Sequence, residues 1–149
     1  MSLLDEKDEQ IIQLLGQDAW QSSETLAKHI GVSSATVRRR IKKLVKNETL
    51  RIGAFVDPAK VGQPLAAVIA LGVPHDKVEV MVKQLAKRRE VKWISSTTGR
   101  FDILVFARFP STDELAVFLQ KALPKLGEIK SSETFICLHV QKGYYIPLY

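Results

Sequence analysis

Apolar residues recur with a helical period three times in the first third of the chain, and each repeat predicts an amphipathic helix. The predicted helices cover residues 5–15, 23–30 and about 34–47. Gly31 is able to take the positive φ that ends a helix, and Ser33 is placed to cap the helix that follows. We expect the three helices to pack around shared apolar positions, namely Ile11, Leu15, Leu26, Ile30, Val37, Ile41 and Leu44.

From Leu65 onward, strand-like apolar runs alternate with segments of helical spacing. Strands are predicted for residues 65–73, 91–97, 102–108 and 129–140, with a helix after the first and after the third. The order βαββαβ is the split-βαβ plan of ferredoxin-like domains, in which two helices cover one face of an antiparallel sheet. Apolar residues on the other face predict a dimer that forms through the sheets.

Short polar side chains predict where three of the helices begin. Ser23 is placed as the hydroxyl cap of the second helix. Asp76 with Glu79, and Ser111 with Glu114, have the spacing of a capping box. These two boxes predict the starts of the helices that cover the sheet.

Helix-stopping residues separate the two halves of the chain. Asp57-Pro58, Gly62 and Pro64 follow the extended stretch after the third helix. The sequence therefore predicts an α+β chain with a three-helix head over residues 1–53, an extended hinge over 54–64 and a ferredoxin-like domain over 65–149.

The positive charge of the chain is concentrated on the third predicted helix. The formal net charge is +6, and residues 34–53 alone hold seven Lys or Arg against one acidic residue. At 100° per residue the basic side chains fall opposite the apolar stripe, as in a helix that lies against phosphate. Because a shorter helix and a Gly turn come before it, residues 23–52 resemble a helix-turn-helix and predict binding to double-stranded DNA.

The predicted DNA contacts form two groups. The first residues of a recognition helix enter the major groove, so the candidate base readers are Ser34, Ala35, Thr36, Arg38 and Arg39. Later cations provide affinity and salt dependence through phosphate, and these candidates are Lys42, Lys43, Lys46 and Arg51. Arg40 borders the apolar stripe, so we expect it to pair with a carboxylate instead.

A second group of polar residues surrounds the predicted turn Gly99-Arg100-Phe101-Asp102. Arg100 is suited to a carboxylate and Asp102 to an ammonium group. Ser132 and Thr134 fall on one face of the last strand and offer hydroxyls. These residues have the chemistry of a small zwitterion pocket, although a Gly hairpin turn by itself also explains the glycine.

Other classes of protein are not indicated. The three histidines are far apart, and no metal-ligand spacing or nucleophile–base set occurs, so we expect no metal, no cofactor and no enzyme activity. The single cysteine, Cys137, is predicted to be a small buried hydrophobe. The longest apolar run, residues 65–73, is far short of the ~20 residues that cross a bilayer. With no signal-peptide pattern before the acidic start, we expect a cytoplasmic protein.

An ordered set of short motifs carries a resemblance across nearly the whole chain. Its first part is Leu4-Asp5, Leu26-Ala27, Ile30-Gly31-Val32-Ser33 and Thr36-Val37. Its second part is Ile52-Gly53, Val61-Gly62, Glu90-Val91, Thr98-Gly99-x-x-Asp102 and Glu133-Thr134. In this order the motifs resemble those of the Lrp/AsnC (leucine-responsive and asparagine, or feast-or-famine) transcription regulators.

The resemblance implies a helix-turn-helix joined by a hinge to a ferredoxin-like domain that senses a ligand and mediates oligomerisation. It implies homodimers that commonly assemble into octamers, with an amino acid as the small effector. The effector would bind between dimers near the loop 99–102, helped by Ser132 and Thr134. Two features depart from the family pattern: Arg100 stands in this loop, and the linker begins Glu48-Thr49-Leu50 without the glycine often found there.

The sequence thus predicts a sequence-specific transcriptional regulator whose assembly or DNA affinity responds to an amino acid or a similar effector. One alternative is an enzyme subunit similar to the siroheme decarboxylases, which hold a tetrapyrrole with sheet histidines; His139 is the only sheet histidine here. The other alternative is a ligand-binding oligomer that no longer binds DNA. Such a protein is expected to lack the basic residues of the third helix, and these residues are present.

Overall fold

The computed structural model describes residues 4–147. Residues 1–3 and 148–149, which belong to the two predicted domains, therefore lie outside the described residues. The chain divides into two compact units, the first ending at Gly53 and the second beginning at Ala54. The first unit contains helices α1 (Glu6–Gln17), α2 (Ser23–Ile30) and α3 (Ser34–Lys46). Each helix contributes its apolar stripe to one core: Ile11, Leu15, Leu26, Ala27, Ile30, Val37 and Leu44.

Each helix of the first unit begins at a side chain that accepts a backbone N–H of the first turn. Asp5 and Ser33 do so for α1 and α3, which confirms the predicted role of Ser33. For α2 the cap is Ser22, whose backbone is extended, so the prediction of Ser23 as the cap is wrong by one residue. Gly31 ends α2 with a φ of 73°, the left-handed conformation that glycine adopts at little cost.

The second unit is built on an antiparallel sheet. Its strands are β1 (Phe55–Val56), β2 (Leu65–Gly72), β3 (Val91–Ser96), β4 (Ile103–Phe109), β5 (Ser131–Cys137) and β6 (Ile146–Pro147). Helices α4 (Val78–Leu85) and α5 (Thr112–Val117) connect them. Four strands form one sheet in the order β3-β4-β2-β5, which is the ferredoxin-like arrangement, and the predicted α+β fold is therefore confirmed.

One face of this sheet packs against the two helices. Alternate residues of a strand point to the same face, so β2 and β4 each send every second side chain into the core. The buried core residues are Ala67, Ile69, Leu71, Val73, Met81, Leu85, Ile103, Val105, Ala107, Phe109, Leu115, Phe118 and Leu123. The helical stretch that begins with α5 continues after Val117 as a π-helical turn and then a 3₁₀ turn, ending at Leu126.

The two predicted capping boxes of the second unit have different outcomes. Ser111 caps α5, since its Oγ accepts the backbone N–H of Glu114 at 3.3 Å. The box at Asp76 and Glu79 is wrong, because a 3₁₀ turn at His75–Lys77 precedes α4 and no side chain caps that helix. The two carboxylates pair with neighbouring lysines instead.

The segment predicted as a hinge, residues 54–64, belongs to the second unit and is tied to its end. Strand β1 pairs antiparallel with β6, a pairing that the sequence pattern does not predict. The turn that follows is held by Asp57, whose Oδ1 accepts from the Ala59 backbone N–H and from the Tyr144 hydroxyl, each at 2.9 Å. That this segment acts as a hinge stays a prediction.

The second face of the sheet is left open by the helices. A row of apolar side chains crosses all four strands there in register: Trp93, Phe106, Val68 and Phe135. We call these four residues the apolar row. Its two end residues, Trp93 on β3 and Phe135 on β5, are each 53% exposed.

Candidate functional site

The basic residues of α3 form an exposed surface on the first unit. Val37 and Leu44 are 0% and 3% exposed, and they fix the helix in the core by its opposite side. The exposed basic residues, which we call the cationic face, are Arg38, Arg39, Lys42, Lys43 and Lys46. Arg51, which follows the helix, is exposed as well. One helix therefore presents five of the predicted DNA contacts together.

The first turn of α3 carries the other candidate base readers. Ala35 is exposed, and Ser34 and Thr36 are half-buried. The Ser33 hydroxyl accepts the Thr36 backbone N–H at 3.2 Å and lies 2.9 Å from the Thr36 hydroxyl. This turn contains no acidic residue, whereas the first turns of α1 and α2 contain them. The partial positive charge of the helix N-terminus is thus free to attract an anion such as phosphate.

Ion pairing distinguishes the members of the cationic face. Arg38 Nη1 lies 2.9 Å from Glu24 Oε1 of α2, and both side chains are more than half exposed. An exposed pair of this kind stabilises little, so phosphate is able to take the place of the Glu24 carboxylate. Within residues 4–147, Arg39, Lys42, Lys43 and Lys46 form no ion pair.

Arg40 lies on the side of α3 that faces α1. Its Nη1 is 2.7 Å from Asp5 Oδ2 and 2.7 Å from Asp8 Oδ1. Asp8 is only 5% exposed, so its carboxylate depends on a positive partner. The interpretation of Arg40 as a carboxylate partner is confirmed. The Asp8 backbone N–H, followed by the Arg40 guanidinium, lowers the pKa of Asp5 below its ordinary value.

The turn between β3 and β4 contains the candidate effector residues 99–102. Gly99 has a φ of 110°, which an L side chain rarely adopts, so the turn requires glycine here. Asp102 Oδ2 accepts the Val73 backbone N–H at 2.9 Å, and the Asp102 N–H donates to the Leu71 carbonyl. Asp102 therefore ties the turn to the end of β2, which leaves less of its carboxylate for an ammonium group.

Arg100 forms an ion pair with Glu133 of β5, and its guanidinium lies 5.2 Å from the centre of the Phe101 ring. The Arg100 side chain is 79% exposed. Ser132 and Thr134 pair in register with core residues of β2, so they lie on the opposite face of β5 from Glu133. The structure thus joins the turn to Glu133 rather than to the two predicted hydroxyls. Glu133 was not predicted as an effector contact, because an acidic residue on an edge strand is expected to face solvent.

The remaining chemistry is limited. In the part of the chain that the structure describes, no group of three or more His, Cys, Asp or Glu is placed to hold a metal ion. Among the same residues, no helix combines the length and apolarity that a membrane span requires. Cys137 is a free cysteine and is half-buried, less buried than predicted.

The first unit is a three-helix head whose helix-turn-helix exposes a cationic second helix, and the second unit is a ferredoxin-like domain. This combination defines a two-domain transcription regulator. Residues 4–45 match the AsnC-type helix-turn-helix domain, and residues 66–145 match the Lrp/AsnC ligand binding domain. The chain therefore belongs to the Lrp/AsnC family of transcriptional regulators, as its motifs indicated.

Known proteins resemble the chain over nearly its full length. An uncharacterised helix-turn-helix transcriptional regulator of Pyrococcus furiosus is 37% identical over 99% of this chain and 100% of its own. The structure of AsnC from E. coli has a TM-score of 0.84 at 26% identity, covering 94% of this chain and 95% of that one. A Neisseria meningitidis transcriptional regulator, solved as a complex with L-Met, has a TM-score of 0.83 at 23% identity over 93% and 92%. At that identity the likeness shows the fold alone.

Proposed function

We propose that the chain is a sequence-specific DNA-binding regulator that reads the major groove with the first turn of α3. The observation that carries this proposal is the cationic face, which is exposed beside an N-terminal turn without acidic residues. Ser34, Ala35, Thr36, Arg38 and Arg39 read bases. Lys42, Lys43, Lys46 and Arg51 bind phosphates and supply salt-dependent affinity.

Arg39→Ala tests the division between base readers and phosphate contacts. Because a guanidinium bonds guanine at two atoms, its loss is expected to cost about 1–3 kcal/mol of discrimination. Specific DNA should therefore lose about 5- to 150-fold more affinity than random DNA. The matched control is Lys46→Ala, which should weaken both DNAs equally and reduce the salt slope by about 1. Fluorescence anisotropy on DNA upstream of the gene and on a scrambled duplex measures both. Equal losses on both duplexes for Arg39→Ala would make it a phosphate contact.

The regulator acts as a homodimer formed through the open face of the sheet. The apolar row supports this, since its two aromatic ends are 53% exposed and lie in line with Phe106 and Val68. An apolar strip across four strands loses its contact with water when a second copy covers it. A symmetric dimer then offers two α3 helices to half-sites about one turn of DNA, or a multiple of it, apart.

Phe135→Lys is expected to weaken the dimer by at least about tenfold, because it removes an aromatic contact and buries a charge. Ile136→Lys provides a matched control. Ile136 is the next residue of β5 and 47% exposed, but it points to the helix-covered side. Sedimentation velocity across a protein dilution series measures the change. If both variants dissociate alike, or neither does, the dimer does not form through the open face.

The effector is an amino acid or a similar small zwitterion, and it binds at the turn 99–102. The pair of Arg100 and Glu133 supports this proposal because it places a cation and an anion side by side at an exposed position. The effector carboxylate would replace Glu133 on Arg100, and its ammonium group would bind the released Glu133. Gly99, Phe101 and Asp102 form the turn. Ser132 and Thr134 remain candidate effector contacts, although they lie on the opposite face of β5 from Glu133.

Arg100→Gln is expected to abolish the response to amino acids without reducing DNA affinity. In the unmodified protein, a pool of the twenty amino acids should shift the distribution of oligomer masses in analytical ultracentrifugation. The control variant is Arg89→Gln, an exposed arginine outside the turn, which should respond as the unmodified protein does. An unchanged mass distribution accompanied by altered DNA affinity would contradict regulation through assembly.

Regulation follows from two assemblies of different ligand affinity. An effector bound between dimers favours one assembly, which by family resemblance reaches an octamer in its largest form. It therefore changes which arrays of DNA sites are contacted. The coupling free energy equals the difference in effector affinity between the assemblies, typically 1–3 kcal/mol. On this proposal the chain is a cytoplasmic regulator and not an enzyme.

A further inference from the structure

An acidic residue of α2 holds one of the proposed base readers. Glu24 lies in the first turn of α2, after the cap residue Ser22. Its Oε1 accepts a hydrogen bond from Arg38 Nη1 of α3 at 2.9 Å. Within residues 4–147 this contact is the only hydrogen bond or ion pair of the Arg38 side chain. Among the described residues, Arg38 is therefore the one member of the cationic face that a carboxylate holds.

The atom that Glu24 binds decides which donors of Arg38 stay unoccupied. A guanidinium presents two parallel pairs of N–H donors, one at its end, from Nη1 and Nη2, and one at its side, from Nε and Nη2. Glu24 accepts from Nη1, the nitrogen that does not belong to the side pair. The ion pair therefore leaves the Nε and Nη2 donors unoccupied. Guanine offers O6 and N7 to such a pair of donors in the major groove.

The Glu24 carboxylate is ionised and tied to the start of α2. Its own backbone N–H, followed by the Arg38 guanidinium, lowers the pKa of Glu24 below its ordinary value, and the Ser22 hydroxyl adds to this effect. Both side chains of the pair are more than half exposed, so the pair adds little to the stability of the head. Its effect is on the direction of the guanidinium rather than on the fold.

We propose that Glu24 is a specificity-determining residue that positions Arg38 to read a guanine, an inference that rests on the proposed DNA binding by α3. With Nη1 held by Glu24, the Nε and Nη2 donors of Arg38 bond O6 and N7 of one guanine. An unpaired arginine has many rotamers and reaches phosphates of any sequence, so the ion pair also limits contacts that carry no sequence information. The Glu24 carboxylate itself repels nearby phosphates. Glu24 thus lowers the affinity for all DNA and raises discrimination.

The test measures discrimination, which is the ratio of affinities for DNA upstream of the gene and for a scrambled duplex, by anisotropy on the full chain. Glu24→Ala is expected to bind the scrambled duplex more tightly. Its discrimination should fall by at least about fivefold, the lower end of the range for a bidentate guanine contact. Glu9→Ala is the matched control, since Glu9 is exposed on α1 and forms no ion pair within the described residues. It should change both affinities alike. Unchanged discrimination in Glu24→Ala would overturn the proposal.

A double-mutant cycle then determines whether Glu24 acts through Arg38. Discrimination is measured for Arg38→Ala and for the double variant Glu24→Ala/Arg38→Ala. If Glu24 positions Arg38, its removal changes discrimination only while Arg38 is present. An equal loss of discrimination in both backgrounds would refute the positioning role, because Glu24 would then act on DNA by another route.

Modified duplexes locate the guanine. Each guanine of the upstream duplex is replaced in turn by 7-deazaguanine, which lacks the N7 acceptor. The guanine that Arg38 reads is the one whose replacement weakens binding of the unmodified protein but not of Arg38→Ala, and Glu24→Ala should lose sensitivity at the same guanine. Sensitivity retained there by Glu24→Ala would contradict the proposal alone. An absence of discrimination by the unmodified protein would contradict base reading by α3 and this inference with it, so the two failures are distinguishable.

Discussion

Arg40→Ala is expected to destabilise the first unit by about 2 kcal/mol, even though Arg40 lies on the same helix as the proposed DNA contacts. The substitution removes the guanidinium that bonds both Asp5 and Asp8 at 2.7 Å and leaves the buried Asp8 carboxylate without its cation. A quarter of the Arg40 side chain is exposed, so the expected cost is below that of a fully buried pair. Hydrogen exchange of the amides in α1 and α3 measures it, with a predicted loss of about 30-fold in protection.

Arg39→Ala is the matched control for this prediction. Arg39 is the preceding residue, is exposed and forms no ion pair within the described residues, so its removal should leave protection unchanged. Equal protection in both variants would show that the pairs of Arg40 do not stabilise the head. Of these two adjacent arginines, Arg40 is expected to be structural and Arg39 is proposed to bind DNA, and this comparison tests that difference.

The Asp8 backbone N–H and the Arg40 guanidinium, which both bind Asp5, also predict the pH range in which the head weakens. Folding lowers the pKa of Asp5, so its contribution is fully present above the unfolded value of about 3.9 and is lost as the pH falls through the lower folded value. Asp5→Asn retains a capping side chain without the titration. The variant should therefore show a smaller decrease in α1 protection between about pH 5 and pH 3.

Ala35→Glu is expected to reduce DNA affinity about 100-fold while leaving the fold intact. Ala35 is exposed in the first turn of α3, where no acidic residue occurs. A carboxylate there stabilises a helix by about 0.3–1 kcal/mol through the helix dipole. Against the phosphates of a duplex, the same charge is repelled, and a like-charge contact at an interface costs several kcal/mol. Anisotropy measures the affinity, and thermal unfolding checks the fold.

Ala35→Gln has nearly the shape of the Glu variant without its charge, and it separates repulsion from steric obstruction. Its DNA affinity should lie within about tenfold of the unmodified protein, because a neutral side chain at the groove loses little. If Gln and Glu reduce affinity equally, charge at this position is not the cause. If neither reduces it, the first turn of α3 does not lie against DNA.

Much of the fold follows from local patterns in the sequence. The period of Ile11, Leu26 and Val37 with their neighbours predicted the three helices, and Gly31 and Ser33 predicted the turn between the last two. These features depend on residues only a few positions apart, which the spacing of apolar and capping side chains describes. The role of Arg40 was also predictable, since its angle on the helix places it beside the apolar stripe.

The features that were missed depend on distant or competing contacts. Two adjacent hydroxyls, Ser22 and Ser23, are equally suited to cap α2, and the path of the preceding chain decides between them. The β1–β6 pair joins residues about ninety positions apart, with too few residues to form a pattern. Arg108 lies in a strand on the face opposite the core, where alternation predicts an exposed cation, but the Tyr144 segment covers it.

The most direct test of the account is anisotropy of the full chain on DNA upstream of its gene and on a scrambled duplex, across a salt series with and without the twenty amino acids. We expect tighter binding to the upstream DNA and a steep loss of affinity with salt, because α3 is proposed to neutralise several phosphates. We also expect a shift in affinity when the amino acids are present. An absence of binding to either duplex at low salt would contradict the proposed function, leaving a family member that has kept the fold without the DNA-binding function.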